Sequence, residues 1–93
     1  MNNSITPNTT LNNLTIYTKA YCPYCKNAKT LLRSRGFVFT EIDIERSHAK
    51  QKEMIKRSQR HTVPQIFAGD THIGGFADLV ARFKEYDEWG DAA

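Results

Sequence analysis

The two cysteines of this chain, Cys22 and Cys25, stand three positions apart in Ala20-Tyr21-Cys22-Pro23-Tyr24-Cys25, and the 93 residues hold no other cysteine. The run Leu14-Thr15-Ile16-Tyr17-Thr18 before them is β-branched and aromatic, and Lys26 to Arg35 after them has helical composition. A thiol pair where a strand turns into a helix is a redox arrangement. Cys22 as the helix N-cap would meet unpaired backbone N–H groups and the positive end of the helix dipole, and both favour a thiolate. Pro23 suits the first helical position, because its missing N–H has no intrahelical partner there anyway. Cys25 then lies one turn further in and faces the protein. One sulfur is presented and the other is held in reserve.

Zinc is the competing use of a CxxC pair. A structural zinc site needs four ligands, usually from a second CxxC or a closely spaced pair of histidines. Here the other candidates, His48, His61 and His72, are too scattered to make such a pattern. The redox reading also accounts for the strand before, the proline between and the helix after, so no metal is expected.

Two cysteines are too few for a disulfide framework. The first 13 residues carry neither the basic nor the apolar region of an export signal, and no run approaches the length of a membrane span. A cytoplasmic protein in a reducing compartment, with no membrane association, is expected. The formal net charge of +3 is a mild bias and no nucleic-acid signature. Its basic residues concentrate between Arg46 and Arg60, where they read either as a solvated helix face or as steering for an acidic substrate.

Residues 1–12 are rich in Asn and Thr and poor in apolar residues, which predicts a disordered tail ahead of one domain over residues 13–93. The Asn-x-Ser/Thr matches at Asn2, Asn8 and Asn13 read as chance hits in that composition. Leu14–Thr18 is the first strand. Pro23–Ser34 is the first helix, with Ala28, Leu31 and Leu32 inward and Gly36 as its stop. Phe37–Ile42 alternates Phe37, Phe39 and Glu41 against Val38, Thr40 and Ile42 and predicts a second strand, parallel to the first across a βαβ crossover. Within 43–60, Ser47 is a candidate N-cap for a helix with a thin stripe of Ala49, Met54 and Ile55. Val63–Phe67 and Thr71–Ile73 flank Ala68-Gly69-Asp70 as a hairpin. Phe76, Leu79, Val80, Phe83, Tyr86 and Trp89 recur at helical spacing in the last helix. The order βαβαββα predicts an α/β fold of thioredoxin-like type: a four-stranded mixed sheet flanked by three helices.

Two further segments carry chemistry in such a fold. In His61-Thr62-Val63-Pro64-Gln65 the proline would face the two sulfurs. A cis Val63–Pro64 bond would expose the Val63 backbone N–H and C=O to an extended peptide, as an added strand would be held. His61 itself reads as a solvated loop histidine. In Gly74-Gly75-Phe76-Ala77-Asp78, glycines permit close approach to the backbone, and the N–H groups of Ala77 and Asp78 at a helix start suit a carboxylate. Asp78 would meet an ammonium at the same place.

Taken together, Cys22-Pro23-Tyr24-Cys25, Thr62-Val63-Pro64 and Gly74-Gly75 followed by Asp78 resemble the glutaredoxin family, in particular its bacterial dithiol class, over residues 13–89. The Trp-Cys-Gly-Pro-Cys centre of thioredoxins is lacking. The resemblance implies reduction of protein disulfides and glutathione mixed disulfides, with glutathione as co-substrate and electron donor. It implies Cys22 as nucleophile and Cys25 as resolving thiol. Val63 would bond the cysteinyl part of glutathione, with Thr62 and Pro64 shaping the turn. Gly75, Ala77 and Asp78 would hold the γ-glutamyl end, Lys19 and Gln51 would lie near the glycine carboxylate, and Tyr24 would pack beside the sulfur. The implied partners are glutathione, disulfide-bonded proteins and glutathionylated proteins, ribonucleotide reductase being one candidate, served by a monomer. Two positions depart from the family pattern: Ala77 offers only its backbone, and Gln51 is neutral where some relatives carry Arg. The alternative is a binding module that carries an iron–sulfur cluster between two subunits through Cys22 and glutathione. Pro23, which stiffens the loop, and Cys25, which offers a competing disulfide, argue against it.

Overall fold

The computed structural model describes residues 13–92, with side chains described as far as Glu85. The expected tail over residues 1–12, its Asn2 and Asn8 matches, and the side chains of Tyr86 and Trp89 lie outside the described residues.

The chain runs β1 (Leu14–Thr18), α1 (Pro23–Ser34), β2 (Phe39–Asp43), α2 (His48–Ser58), β3 (Gln65–Ala68), β4 (Thr71–Gly74) and α3 (Phe76–Ala92), the predicted βαβαββα order. The sheet order is β2-β1-β3-β4. β1 pairs with β2 in parallel from Leu14 opposite Phe39, and with β3 antiparallel from Leu14 opposite Ala68. β3 and β4 form the antiparallel hairpin, with a register shift between Ile66 and Phe67.

The period of two along the strands sorts side chains to two faces. Leu14 and Ile16 of β1 join Ile66, Ala68 and Ile73 beneath α1 (Ala28, Leu32) and α3 (Leu79, Phe83). Tyr17 and Phe67 point the other way and meet Ile44 and, from α2, Met54. Each large apolar side chain sealed on the first face contributes about 1.5–3 kcal/mol by leaving water. The second face is thinner, and polar contacts supplement it. Arg57 lies 4.0 Å over the Phe67 ring, donates to the Tyr17 hydroxyl at 2.8 Å and to the Gly69 carbonyl at 3.0 Å, while the Tyr17 hydroxyl donates to Glu53. These ties explain why α2 has so narrow an apolar stripe. Ala49 does not belong to it: it is exposed in the first turn, and Met54 and Ile55 carry the contact. Val80 is likewise 42% exposed at the edge of the α3 stripe.

Several strand ends differ from the sequence reading; β2 and β4 each run one residue further, to Asp43 and Gly74, and the other differences are local. β2 starts at Phe39, because Phe37 closes α1 instead. Its N–H reaches the Leu32 carbonyl at 2.9 Å while Gly36, at φ +82, bonds Arg33, the paired bonds of a Schellman stop. β3 starts at Gln65, because Val63 and Pro64 form a cis turn and Pro64 has no N–H for the ladder. Ala68 joins β3, leaving Gly69-Asp70 as the hairpin turn before β4. The predicted cap of α2 is present: Ser47 Oγ accepts the Lys50 N–H at 3.2 Å.

Candidate active site

The sheet register brings the three sequence segments together. Tyr17, near the end of β1, pairs with Gln65 at the start of β3, so the cysteine loop lies beside the cis-proline turn. Ile66 pairs with Gly74 at the end of β4, so the glycine segment lies on the other side of that turn.

Cys22 is the N-cap of α1, in extended conformation at φ −84 and ψ 113, with Pro23 opening the helix. Its sulfur accepts the Cys25 N–H at 3.2 Å and lies 3.6 Å from the Val63 carbonyl, to which the thiol donates. The Cys22 N–H bonds the Lys19 carbonyl at 3.3 Å, which fixes the loop between β1 and α1. The Cys22 sulfur thus sits at the positive end of the α1 dipole and is only partly covered. Cys25 is 1% exposed. Burial pushes its thiol up to about 12; the Cys22 side chain adds to this, whereas the Lys19 backbone and the Lys29 ammonium oppose it. Both cysteines are reduced. The pair is asymmetric in access: Cys22 is half-buried and Cys25 is buried.

Tyr24, Thr62, Val63, Pro64, Gly75, Ala77 and Asp78 line one cleft of about 410 Å³, together with Arg60, Gln65 and Phe76. Tyr24 stacks on Phe76 with ring centroids 6.1 Å apart and forms one wall. Lys19, half-buried at the end of β1, and Gln51, in the first turns of α2, are not among the lining residues. His61 is exposed in the loop before Thr62.

Two arrangements that hold the cleft were not read from the sequence. Gln65, 1% exposed, donates through Nε2 to the Thr62 carbonyl at 3.1 Å and to Thr62 Oγ1 at 3.2 Å, and its Oε1 lies 2.7 Å from His72 Nε2. Since both amide hydrogens serve Thr62, the oxygen accepts, and the His72 proton belongs on Nε2. Burial, then the Arg60 and Arg57 charges, push the His72 pKa down, in keeping with a neutral ring, although Asp78 opposes this. A glutamine in an apolar strand was the available signal.

The second arrangement surrounds Asp78. Its Oδ2 accepts the Gly75 N–H at 2.9 Å, a side chain folded back onto the start of its own helix, and accepts from Arg60 at 3.0 Å. The Gly75 bond and then the Arg60 bond hold the carboxyl below the usual carboxylate range. Asp78 thus already has a cationic partner, supplied by a residue hidden in a basic run. Among the described residues, no group of three or more His, Cys, Asp or Glu could hold a metal ion.

A dithiol at the head of α1, beside a cis-proline turn in a mixed four-stranded sheet, defines a thiol–disulfide oxidoreductase of thioredoxin-like fold. The glutaredoxin family model matches residues 14–73, and the chain belongs to the glutaredoxin family. Glutaredoxin 3 of Escherichia coli K12 is 58% identical over 69 residues, which cover 74% of this chain and 83% of that one. The solution structure of a glutaredoxin from Brucella melitensis is similar with a TM-score of 0.70 and 45% identity, covering 82% of this chain and 83% of the other. A crystal structure of a buckwheat glutaredoxin–glutathione complex is similar with a TM-score of 0.73 and 28% identity, covering 82% and 72%.

Proposed function

We propose that this protein is a cytoplasmic, glutathione-dependent reductase of protein disulfides and glutathione mixed disulfides, with Cys22 as nucleophile and Cys25 as resolving thiol. The observation that carries the reading is the Cys22 sulfur, bonded to the Cys25 N–H and facing the Val63 carbonyl, whose turn continues into a cleft that ends at the start of α3. In this reading the cleft receives a tripeptide thiol. Val63 bonds the cysteinyl backbone as a neighbouring strand would. The α3 amides at Ala77 and Asp78 take the γ-glutamyl carboxylate, and the Asp78 side chain takes its ammonium. Thr62 and Pro64 shape the turn, Gly75 allows close approach, and Tyr24 covers the sulfur. Lys19 and Gln51 serve the glycine carboxylate beyond the rim. The similarity to a glutaredoxin solved with glutathione supports this assignment.

In the main reaction the Cys22 thiolate attacks the glutathionyl sulfur of a mixed disulfide. A Cys22–glutathione bond forms, the substrate sulfur leaves as a thiolate and takes up a proton. The thiolate of a second glutathione attacks the bound glutathionyl sulfur, giving oxidised glutathione and returning the electron pair to Cys22. With a protein disulfide, Cys22 attacks one sulfur and expels the other as a thiolate that takes up a proton; Cys25 then attacks Cys22, its proton passing to the second departing thiolate. The resulting Cys22–Cys25 bridge is reduced by two glutathiones. Proteins of either kind, ribonucleotide reductase among them, are the macromolecular substrates of a monomer.

Two serine variants test the scheme. Cys22→Ser abolishes both activities. Cys25→Ser keeps deglutathionylation, loses most dithiol reduction, and acquires one glutathione on Cys22 when treated with oxidised glutathione, as read by mass spectrometry. Equal losses of mixed-disulfide turnover in the two variants overturn the assignment.

A further inference from the structure

Arg60 is where sequence and fold differ most in what they reveal. In the sequence it closes a run of basic residues; in the fold it borders the cleft from the α2–β3 connection. Its backbone is pinned on both sides by buried Ser58: Ser58 Oγ accepts the Arg60 N–H at 3.0 Å and donates to the Arg60 carbonyl at 3.1 Å. From that base the guanidinium crosses to Asp78 Oδ2 at 3.0 Å, linking the connection to the first turn of α3.

We propose that Arg60 is a specificity residue for the α-amino-acid end of the thiol substrate. The Arg60–Asp78 pair opens on binding, Asp78 taking the substrate's ammonium and Arg60 its α-carboxylate. The inference rests on the glutathione reading and adds to it a residue that recognises the free carboxylate. Three observations carry it. The two side chains line the same cleft. They are 46% and 45% exposed, so their mutual attraction is weak and is readily exchanged. Asp78 keeps its position without Arg60, because Gly75 N–H still holds Oδ2 at 2.9 Å. A group bearing an ammonium and a carboxylate on one carbon replaces one ion pair by two, and a planar guanidinium matches a carboxylate with two parallel bonds. This supplies a cation at a place where Ala77 contributes no side-chain donor.

The test compares mixed disulfides of one reporter thiol with three partners. These are glutathione, 4-aminobutyryl-cysteinyl-glycine, which lacks only the α-carboxylate, and cysteinyl-glycine, which lacks the whole γ-glutamyl group. In the intact protein kcat/KM falls in that order. In Arg60→Gln the preference for glutathione over the 4-aminobutyryl compound drops about tenfold through KM, the size expected for a lost charged hydrogen bond. Arg60→Lys restores part of it. An intact protein that prefers glutathione, with Arg60→Gln keeping the full preference, overturns the role of Arg60 alone. An intact protein indifferent among all three compounds overturns the glutathione reading and this inference with it.

Discussion

The Asp78 carboxylate fills the space where a side chain of Gly74 would stand. A Cβ on Gly74 would lie 2.3 Å from Asp78 Oδ2, and the residue holds φ +121, where L side chains are strained. The glycine therefore allows the carboxylate to fold back onto Gly75 and reach Arg60.

Gly74→Ala is expected to displace that carboxylate. Stability falls by about 1–3 kcal/mol from backbone strain, and KM for glutathione mixed disulfides rises. Gly69→Ala is the control. It shares a positive φ, +59, but its Cβ would meet only Asn13 Nδ2 at 4.0 Å, so it costs stability and leaves KM unaltered. Urea denaturation and steady-state kinetics on both variants check this.

Burial of Cys25 separates the two thiols. In the reduced protein, alkylation at pH 7 to 8 is expected on Cys22 only. In Cys22→Ser the remaining thiol stays slow, since burial is the largest cause of its raised value. The same shift makes the fold sensitive to alkali: the unfolded chain releases this proton near 9.0 and the folded chain holds it to about 12. Stability is therefore fully present below pH 9 and declines as the pH rises through that interval. Mass spectrometry after timed alkylation and denaturation midpoints from pH 8 to 11 measure the two effects.

Removing the Gln65 amide takes a partner from half-buried His72 Nε2–H and from the Thr62 carbonyl. Gln65→Leu is expected to cost about 0.5–1.5 kcal/mol for each hydrogen bond lost. It also raises KM, because the Thr62–Val63 turn loses its brace. Gln65→Glu keeps the acceptor for His72 but sets a carboxylate oxygen against the Thr62 carbonyl, so its KM rises as well. Kinetics that leave KM unchanged in both variants would show the brace to be irrelevant to binding.

Acid acts through a histidine and three carboxylates. The His72 pKa is lowered from its ordinary 6.5, first by burial, so the unfolded chain takes up that proton before the folded one, and stability declines below about pH 6.5. Asp78 is held below its ordinary 3.8 by Gly75 and Arg60, and Glu53 below 4.5 by Tyr17 and Lys50. Burial alone would raise Glu41, but bonds from Lys29 and Thr18 bring it below 4.5. These three contributions are present above the ordinary values and are lost as the pH falls through the folded ones. Urea midpoints from pH 8 to 3 should show both stages, and His72→Asn should flatten the first.

Much of this was legible in the chain itself. The strand before Cys22, the proline after it and the spacing to Cys25 are local, and the structure turns them into a capped helix start with one half-buried and one buried sulfur. Once Leu14–Thr18 is a strand, pleating alone puts Leu14 and Ile16 on the face opposite Tyr17. The short βαβ connections pointed to parallel pairing of the first two strands, which the sheet shows. What escaped was non-local. Ala49 looked apolar and is exposed, while Arg57 looked like surface charge and braces α2 against Tyr17 and Phe67.

By itself the sequence determined the order of the elements and the place of the thiol pair at a helix start, since both follow from the periodicity and capping of neighbouring residues. Only the tertiary structure decided how the cleft is held: Arg60 against Asp78, His72 against Gln65, and Gly74 left bare for a carboxylate four residues on. The reason is geometric. Pairing of β1, β3 and β4 brings together loops that lie far apart along the chain, and the direction of a side chain there depends on neighbours that sequence spacing does not reveal.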